Sequence, residues 1–271
     1  MTPVLVTGAT GNTGALVCRE LAAAGVTVRP ASRRPGPDGV RFDWADRSTH
    51  DDAIAGVERM YLVAPVGVAE PAPIVRPLLQ AGLQDRLRRV VLLSSSATEP
   101  GDTGLGALDR LVREVMPEWA ILRPSWFMSN FVGDHPVAAG LRSGTLTTAT
   151  GDGRIGFVDV ADIASVAAVL LRQDHAPNDE FVLTGPQALS YADVCAIYSG
   201  LTGRATRHVS IGTADRVRQL TDSGLPADFA QILAGMDERI GRGAEDRVTD
   251  TVRKLTGRPP RSLHEVLAGH P

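Results

Sequence analysis

The segment VLVTGATGNTGALV, residues 4–17, constrains this chain more than any other stretch of it. Gly8, Gly11 and Gly14 fall in a GxxGxxG spacing between a short apolar run that reads as a strand and an apolar pattern that reads as a helix. Small residues at such a bend let the backbone turn tightly and approach a pyrophosphate, whose charge meets the free amides at the helix start. Thr10, Asn12 and Thr13 lie in the same loop and would add amides and side-chain donors. A dinucleotide is the expected ligand. The alternative is an ordinary strand–helix turn with Asn12 as its N-cap.

The rhythm continues downstream. Short apolar runs begin at Val26, Val40, Met60, Val90 and Trp119, and helical patterns separate them. Most runs are too continuously apolar for a half-exposed strand, so they predict a parallel sheet covered on both faces. Alternating strands and helices predict right-handed βαβ units and an α/β, doubly wound, Rossmann-type sheet. The length of 271 residues and the 43% hydrophobic content suffice for one such domain with a lobe. After Pro124 the pattern changes to SWFMSNFVGDHP, which reads as a loop. A helix follows from Val160, a strand from Glu180 and a helix opening at Ser190. SLHE, from Ser262 to Glu265, is a capping box. The expected division is a cofactor core over 1–186 and a smaller, mostly helical lobe over 187–271, closing over the sheet.

The end of the second strand chooses the dinucleotide. A carboxylate there would hold the ribose hydroxyls of NAD and repel a phosphate. The sequence has Ser32, Arg33 and Arg34 and no acid, which predicts the 2′-phosphate of NADP. Plain surface arginine is the alternative. Asp43 is a candidate for the adenine amino group or a turn residue. Ala64 and Pro65, at the end of the fourth strand, complete the expected cofactor contacts on that side.

Read together, TGATGNTG, VRPASRRP, MYLVAP, VVLLSSSA, WAILRPSWFMSNF, GFVDVADIASVAA, FVLTGPQALSYADV and LTGRPPRSLHEVL resemble an NmrA-like atypical short-chain dehydrogenase/reductase, over nearly the whole chain. The resemblance implies a Rossmann-type core, NADP binding through Gly8, Gly11, Gly14 and Arg33, and a substrate cleft between core and C-terminal lobe. It also implies that Ser94 to Ser96 and Pro124 to Trp126 lie beside the nicotinamide. Relatives include reductases of ketones, quinones or imines, and redox sensors that bind NADP without turnover.

One departure matters. Many members carry a Tyr-x-x-x-Lys pair after the serine strand. Here that helix runs GLGALDRLVREV, with Leu105 and Asp109 where polar catalytic residues often lie. Lys254 is the sole lysine, and Tyr61, Tyr191 and Tyr198 fall elsewhere and are expected to be structural.

Other chemistries fit less well. There is no GxSxG elbow for a serine hydrolase. The histidines at 50, 135, 175, 208, 264 and 270 have no metal-ligand spacing, so no metal is expected. Cys18 and Cys195 form no CxxC pair, and Cys18 reads as a buried, inert thiol. A net charge of −3 gives no case for nucleic acid. No run approaches the roughly 20 apolar residues of a membrane span, and the start lacks a basic leader. A cytoplasmic location and no protein partner are the expectations.

The expected activity is NADPH-dependent reduction of a hydrophobic aromatic ketone. Trp126, Phe127, Met128 and Phe131 would stack on it, although the same four could be core packing. Ser95 and Ser96 would stabilise the alkoxide. With no tyrosine acid, the proton is expected to come from a phenol on the substrate itself. The arginine-rich, lysine-poor bias suggests a high-GC bacterial source, and hence by analogy an angucyclinone-like polyketide. The alternatives are an iminium or quinone reductase and a non-catalytic NADP sensor.

Overall fold

A computed structural model describes residues 2–98, 101 and 103–270. Among them are nine strands: β1 (Val4–Thr7), β2 (Val28–Ser32), β3 (Val40–Arg41), β4 (Arg59–Val63), β5 (Arg89–Leu93), β6 (Glu118–Pro124), β7 (Thr145–Thr148), β8 (Asp179–Leu183) and β9 (Arg207–Ser210). The chain divides into two compact units. One comprises Met1–Pro124, Val160–Leu183 and Lys254–Gly257; the other comprises Ser125–Asp159, Thr184–Arg253 and Arg258–Pro271. The division is therefore not a single cut after residue 186. The chain leaves the first unit at Pro124 and returns to it twice.

The first unit is built on a seven-stranded, wholly parallel sheet in the order β3-β2-β1-β4-β5-β6-β8. The continuous apolar runs predicted this, because strands buried on both faces cannot alternate with polar residues. On one face Leu5, Met60, Leu62, Val90, Leu92 and Ile121 pack against Ile54, Val75, Leu79, Leu108 and Leu111 of the crossover helices. Helices Gly14–Ala23 and Val160–Arg172 pack on each other. Arg89 is fully buried at the start of β5. Its guanidinium pairs with Glu118 and donates to the Leu170, Gln173 and Asp174 carbonyls, which end the helix Val160–Arg172. The sheet order reverses between β1 and β4, the place where doubly wound sheets leave a crevice at the strands' C-terminal ends.

The second unit has its own core, in which Met128, Phe131, Phe157, Tyr191, Val194, Leu263 and Val266 meet. Ser190 and Ser262 both form the expected kind of capping box, with Asp193 and Glu265. A parallel pair, β7 with β9, was not expected in a lobe read as helical. None of the described helices is long and apolar enough to cross a membrane.

Candidate cofactor site and strand-end serines

The loop requires glycine at two of its three positions, Gly8 and Gly14. Gly8 sits at φ +63°, a conformation open to glycine at little cost. A Cβ on Gly14 would lie 2.2 Å from the Gly8 carbonyl oxygen, so helix Gly14–Ala23 touches the loop through bare backbone. The Gly11 amide donates to the same carbonyl at 2.9 Å and closes the turn. Thr7 locks the loop to its neighbour, because its hydroxyl accepts from the Val63 amide at 2.8 Å and reaches the Tyr61 and Val63 carbonyls. The helix N-cap is Thr13, not Asn12, and no side chain caps it. The Ala15 amide donates to the Gly11 carbonyl at 3.2 Å, and the Gly14 and Leu16 amides have no side-chain cap, which leaves donors at the helix start for a phosphate.

A cavity of about 590 Å³ opens from this loop across the ends of β2 and β4. Gly8, Thr10 and Gly11 form one wall, Ser32, Arg33 and Asp43 another, and Ala64 and Pro65 a third. Arg33 is exposed and makes no ion pair or hydrogen bond among the described residues, so its guanidinium is available to a ligand anion. Arg34 is equally exposed but does not line the cavity. Asp43 spends one carboxylate oxygen on the Ala45 amide, and its carbonyl meets Thr49 and His50. It is therefore a turn residue that also faces the cavity. A dinucleotide fits this set: close backbone, an uncapped helix and one unpaired cation.

The sequence missed the apolar wall. Phe42 and Trp44 line the cavity beside Asp43, and Trp44, Phe42 and His50 pack edge-on or stacked within 5.7 Å. Val66, 95% exposed, and Val68 line it after Pro65. Aromatics flanking an acid after a very short strand were the available signal.

Next along the edge, β5 runs into a tight turn. Val63 pairs with Leu93 and Leu93 with Leu122, so Ser94 follows directly beside Ala64. The Ser94 amide donates to Leu122 and the Ser96 amide to Pro124. The Thr98 amide closes onto the Ser95 carbonyl, and the Ala97 amide donates to the Ser95 hydroxyl. Ser94 is buried, while Ser95 and Ser96 are half-buried. No tyrosine or lysine stands on the helix that follows, Gly104–Val115. Tyr61 and Tyr191 are buried, and burial pushes both phenols above their ordinary range.

The aromatic segment is split. Met128 and Phe131 are buried in the core of the second unit, with the Phe131 ring 4.9 Å from Phe157. These two side chains pack as core residues. Trp126 and Phe127 are half-exposed.

The NAD dependent epimerase/dehydratase family pattern matches residues 4–108. Uncharacterized oxidoreductase YesF of Bacillus subtilis (strain 168) is 43% identical over 272 residues, spanning 99% of this chain and 95% of that protein. The chain belongs to the NAD dependent epimerase/dehydratase family. It is similar to curated oxidoreductases over nearly its full length. Agroclavine dehydrogenase of Claviceps fusiformis is 33% identical over 277 residues, 98% of this chain and 96% of that protein. The crystal structure of an NADPH-dependent quinone oxidoreductase from Escherichia coli, complexed with NADPH, shares the fold. Its TM-score is 0.85 over 98% of this chain and 99% of that one, at 24% identity.

Proposed function

We propose that this epimerase/dehydratase-family member is an NADPH-dependent reductase of a flat, apolar, conjugated acceptor, on the NmrA-like branch of atypical reductases. The observation that carries this reading is the strand-end turn. It offers serine hydroxyls and no tyrosine or lysine, and Tyr61 and Tyr191 are buried with their phenols pushed up. A serine hydroxyl can hydrogen-bond a developing oxyanion but is a poor proton source. The acceptor must then be one that needs little acid from the protein. An iminium becomes a neutral amine on gaining hydride. A quinone becomes a delocalised hydroquinone anion that water protonates. A polycyclic aromatic ketone of the angucyclinone type brings its own proton, on a phenol beside the carbonyl.

NADPH supplies the hydride when bound. Ser32 and Arg33 would hold its 2′-phosphate, the amides at the start of the Gly14–Ala23 helix its pyrophosphate, and Ala64, Pro65, Ser94 and Pro124 its nicotinamide half. Ser95 and Ser96 are the candidates for hydrogen bonds to the acceptor's oxygen.

The test is anaerobic single-turnover loss of reduced-nicotinamide absorbance with four acceptors: an iminium salt, a para-quinone, an aromatic ketone with an adjacent phenol, and an aliphatic ketone. At least one of the first three should be reduced and the aliphatic ketone should not. Equal reduction of the aliphatic ketone would mean that the protein holds an acid of its own. Binding of NADPH and NADP+ with different affinities, but no turnover of any acceptor, would replace the reductase by a sensor.

A further inference from the structure

Helix Gly104–Val115 buries an acid among its apolar residues. Asp109 is 1% exposed, alongside Ala107, Leu108, Leu111 and Val112. It stands four residues after Leu105, at the Tyr-x-x-x-Lys spacing. Its partner is Arg123 of β6, itself 9% exposed. Arg123 Nη2 donates to Asp109 Oδ2 at 2.8 Å, Nη1 donates to the Thr98 carbonyl at 2.9 Å, and Nε lies 2.5 Å from Glu180 Oε2. Glu180, on β8, is shared with Arg113. Two acids and two guanidiniums thus balance behind the sheet edge.

This cluster grips the serine turn through Thr98, which Arg123 holds by its carbonyl. Thr98, whose carbonyl Arg123 holds, is the residue that closes the turn onto Ser95, and its hydroxyl lies 3.4 Å from the Ser94 hydroxyl. Burial pushes the Asp109 carboxyl above the ordinary carboxylate range, with Ser94 and Arg123 opposing the rise. No hydrogen bond of ordinary geometry reaches Asp109 Oδ1, which is fully buried. A buried ion pair is a poor way to gain stability, because a well-packed apolar pair of similar volume often does as well or better. What an apolar pair cannot do is fix the direction of a carbonyl and a hydroxyl.

We infer that Asp109 and Arg123 are positioning residues that hold the Ser94–Thr98 turn in its reactive geometry. They act through Ser94 and Thr98 and do not themselves touch the acceptor. The inference rests on the reductase reading above.

The test compares wild type with the apolar double replacement Asp109→Leu/Arg123→Met, and with Arg123→Lys, which keeps the buried charge but loses the fork. Three readouts are taken: NADPH affinity, the single-turnover hydride-transfer rate at saturating acceptor, and amide exchange of residues 94–98. The double variant should bind NADPH within about twofold of wild type, transfer hydride at least about tenfold more slowly and exchange faster at 94–98. Arg123→Lys should fall between the two. An undiminished transfer rate in the double variant overturns the inference, as does a slower rate with unchanged exchange. If the double variant does not fold, Arg123→Lys decides by the same criteria. A wild type that binds NADPH but transfers hydride to no acceptor fails the reductase reading instead, and is recognised before any variant is made.

Discussion

The carbonyl oxygen of Gly8 lies 2.2 Å from where a Cβ on Gly14 would stand. The first helix can approach the loop only because Gly14 has no side chain. Gly14→Ala should force the helix off the loop, cost about 1–3 kcal/mol of stability and weaken NADPH binding more than about tenfold. Gly25→Ala is the control. Gly25 ends the same helix at φ +74° in open space, so alanine there should cost about 1 kcal/mol and leave NADPH affinity unchanged. Thermal unfolding and NADPH fluorescence titration check both.

Arg33 and Arg34 separate in the structure, and their variants should separate in solution. Arg33 lines the cavity and is paired with no acid among the described residues, whereas Arg34 does not line it. A charge-assisted bond to a 2′-phosphate is worth about 1.5–3 kcal/mol, so Arg33→Ala should weaken NADPH about ten- to a hundredfold and leave NADH nearly untouched. Arg34→Ala should have less than a third of that effect in free energy. Parallel calorimetric titrations with the two cofactors measure the difference, and equal losses for NADPH and NADH would contradict it.

Tyr61 makes a prediction about alkaline pH. Burial raises its phenol well above the ordinary value of about 10, as it does for Tyr191. Above pH 10 the unfolded chain releases these protons while the folded chain keeps them, so stability should fall as pH rises beyond that point. Below pH 10 neither group contributes a slope. Tyr61→Phe should flatten the alkaline decline and leave the hydride-transfer rate within about twofold. Urea unfolding across pH 8–11 reads the first, and a thousandfold loss of rate would make Tyr61 catalytic.

Cys18 and Cys195 should be slow thiols. Burial pushes both up to about 11. At pH 8 that leaves about a hundredfold less thiolate than in the unfolded chain, with reactivity reduced accordingly. A chromogenic disulfide reagent should react slowly with native protein and rapidly after denaturation. A fast native phase would refute the assignment.

The sheet was legible in the sequence because parallel strands buried on both faces are apolar in a continuous run, as β4 and β5 are after their leading Arg59 and Arg89. The glycine loop was legible because Gly8 answers to a left-handed backbone and Gly14 to a contact that a side chain would block. The β7–β9 pair was not. Its strands are short, TLTT and RHVS, and separated by residues 149–206, which include β8 of the first unit, so no local pattern announces them. The role of Asp109 was equally hidden. An acid within an amphipathic helix looks like surface until Arg123, on a strand formed later in the chain, is seen opposite it. Met128 and Phe131 were ambiguous for the opposite reason, since apolar residues suit a substrate cleft and a core alike.

The return of the chain to the sheet has a consequence for synthesis. β6 is complete at Pro124, but β8, its partner, does not begin until Asp179. While the ribosome makes the residues between, β6 presents a long, apolar, unpaired edge, of the kind that recruits other chains. A nascent or truncated chain ending before Asp179 should therefore be held by chaperones or aggregate.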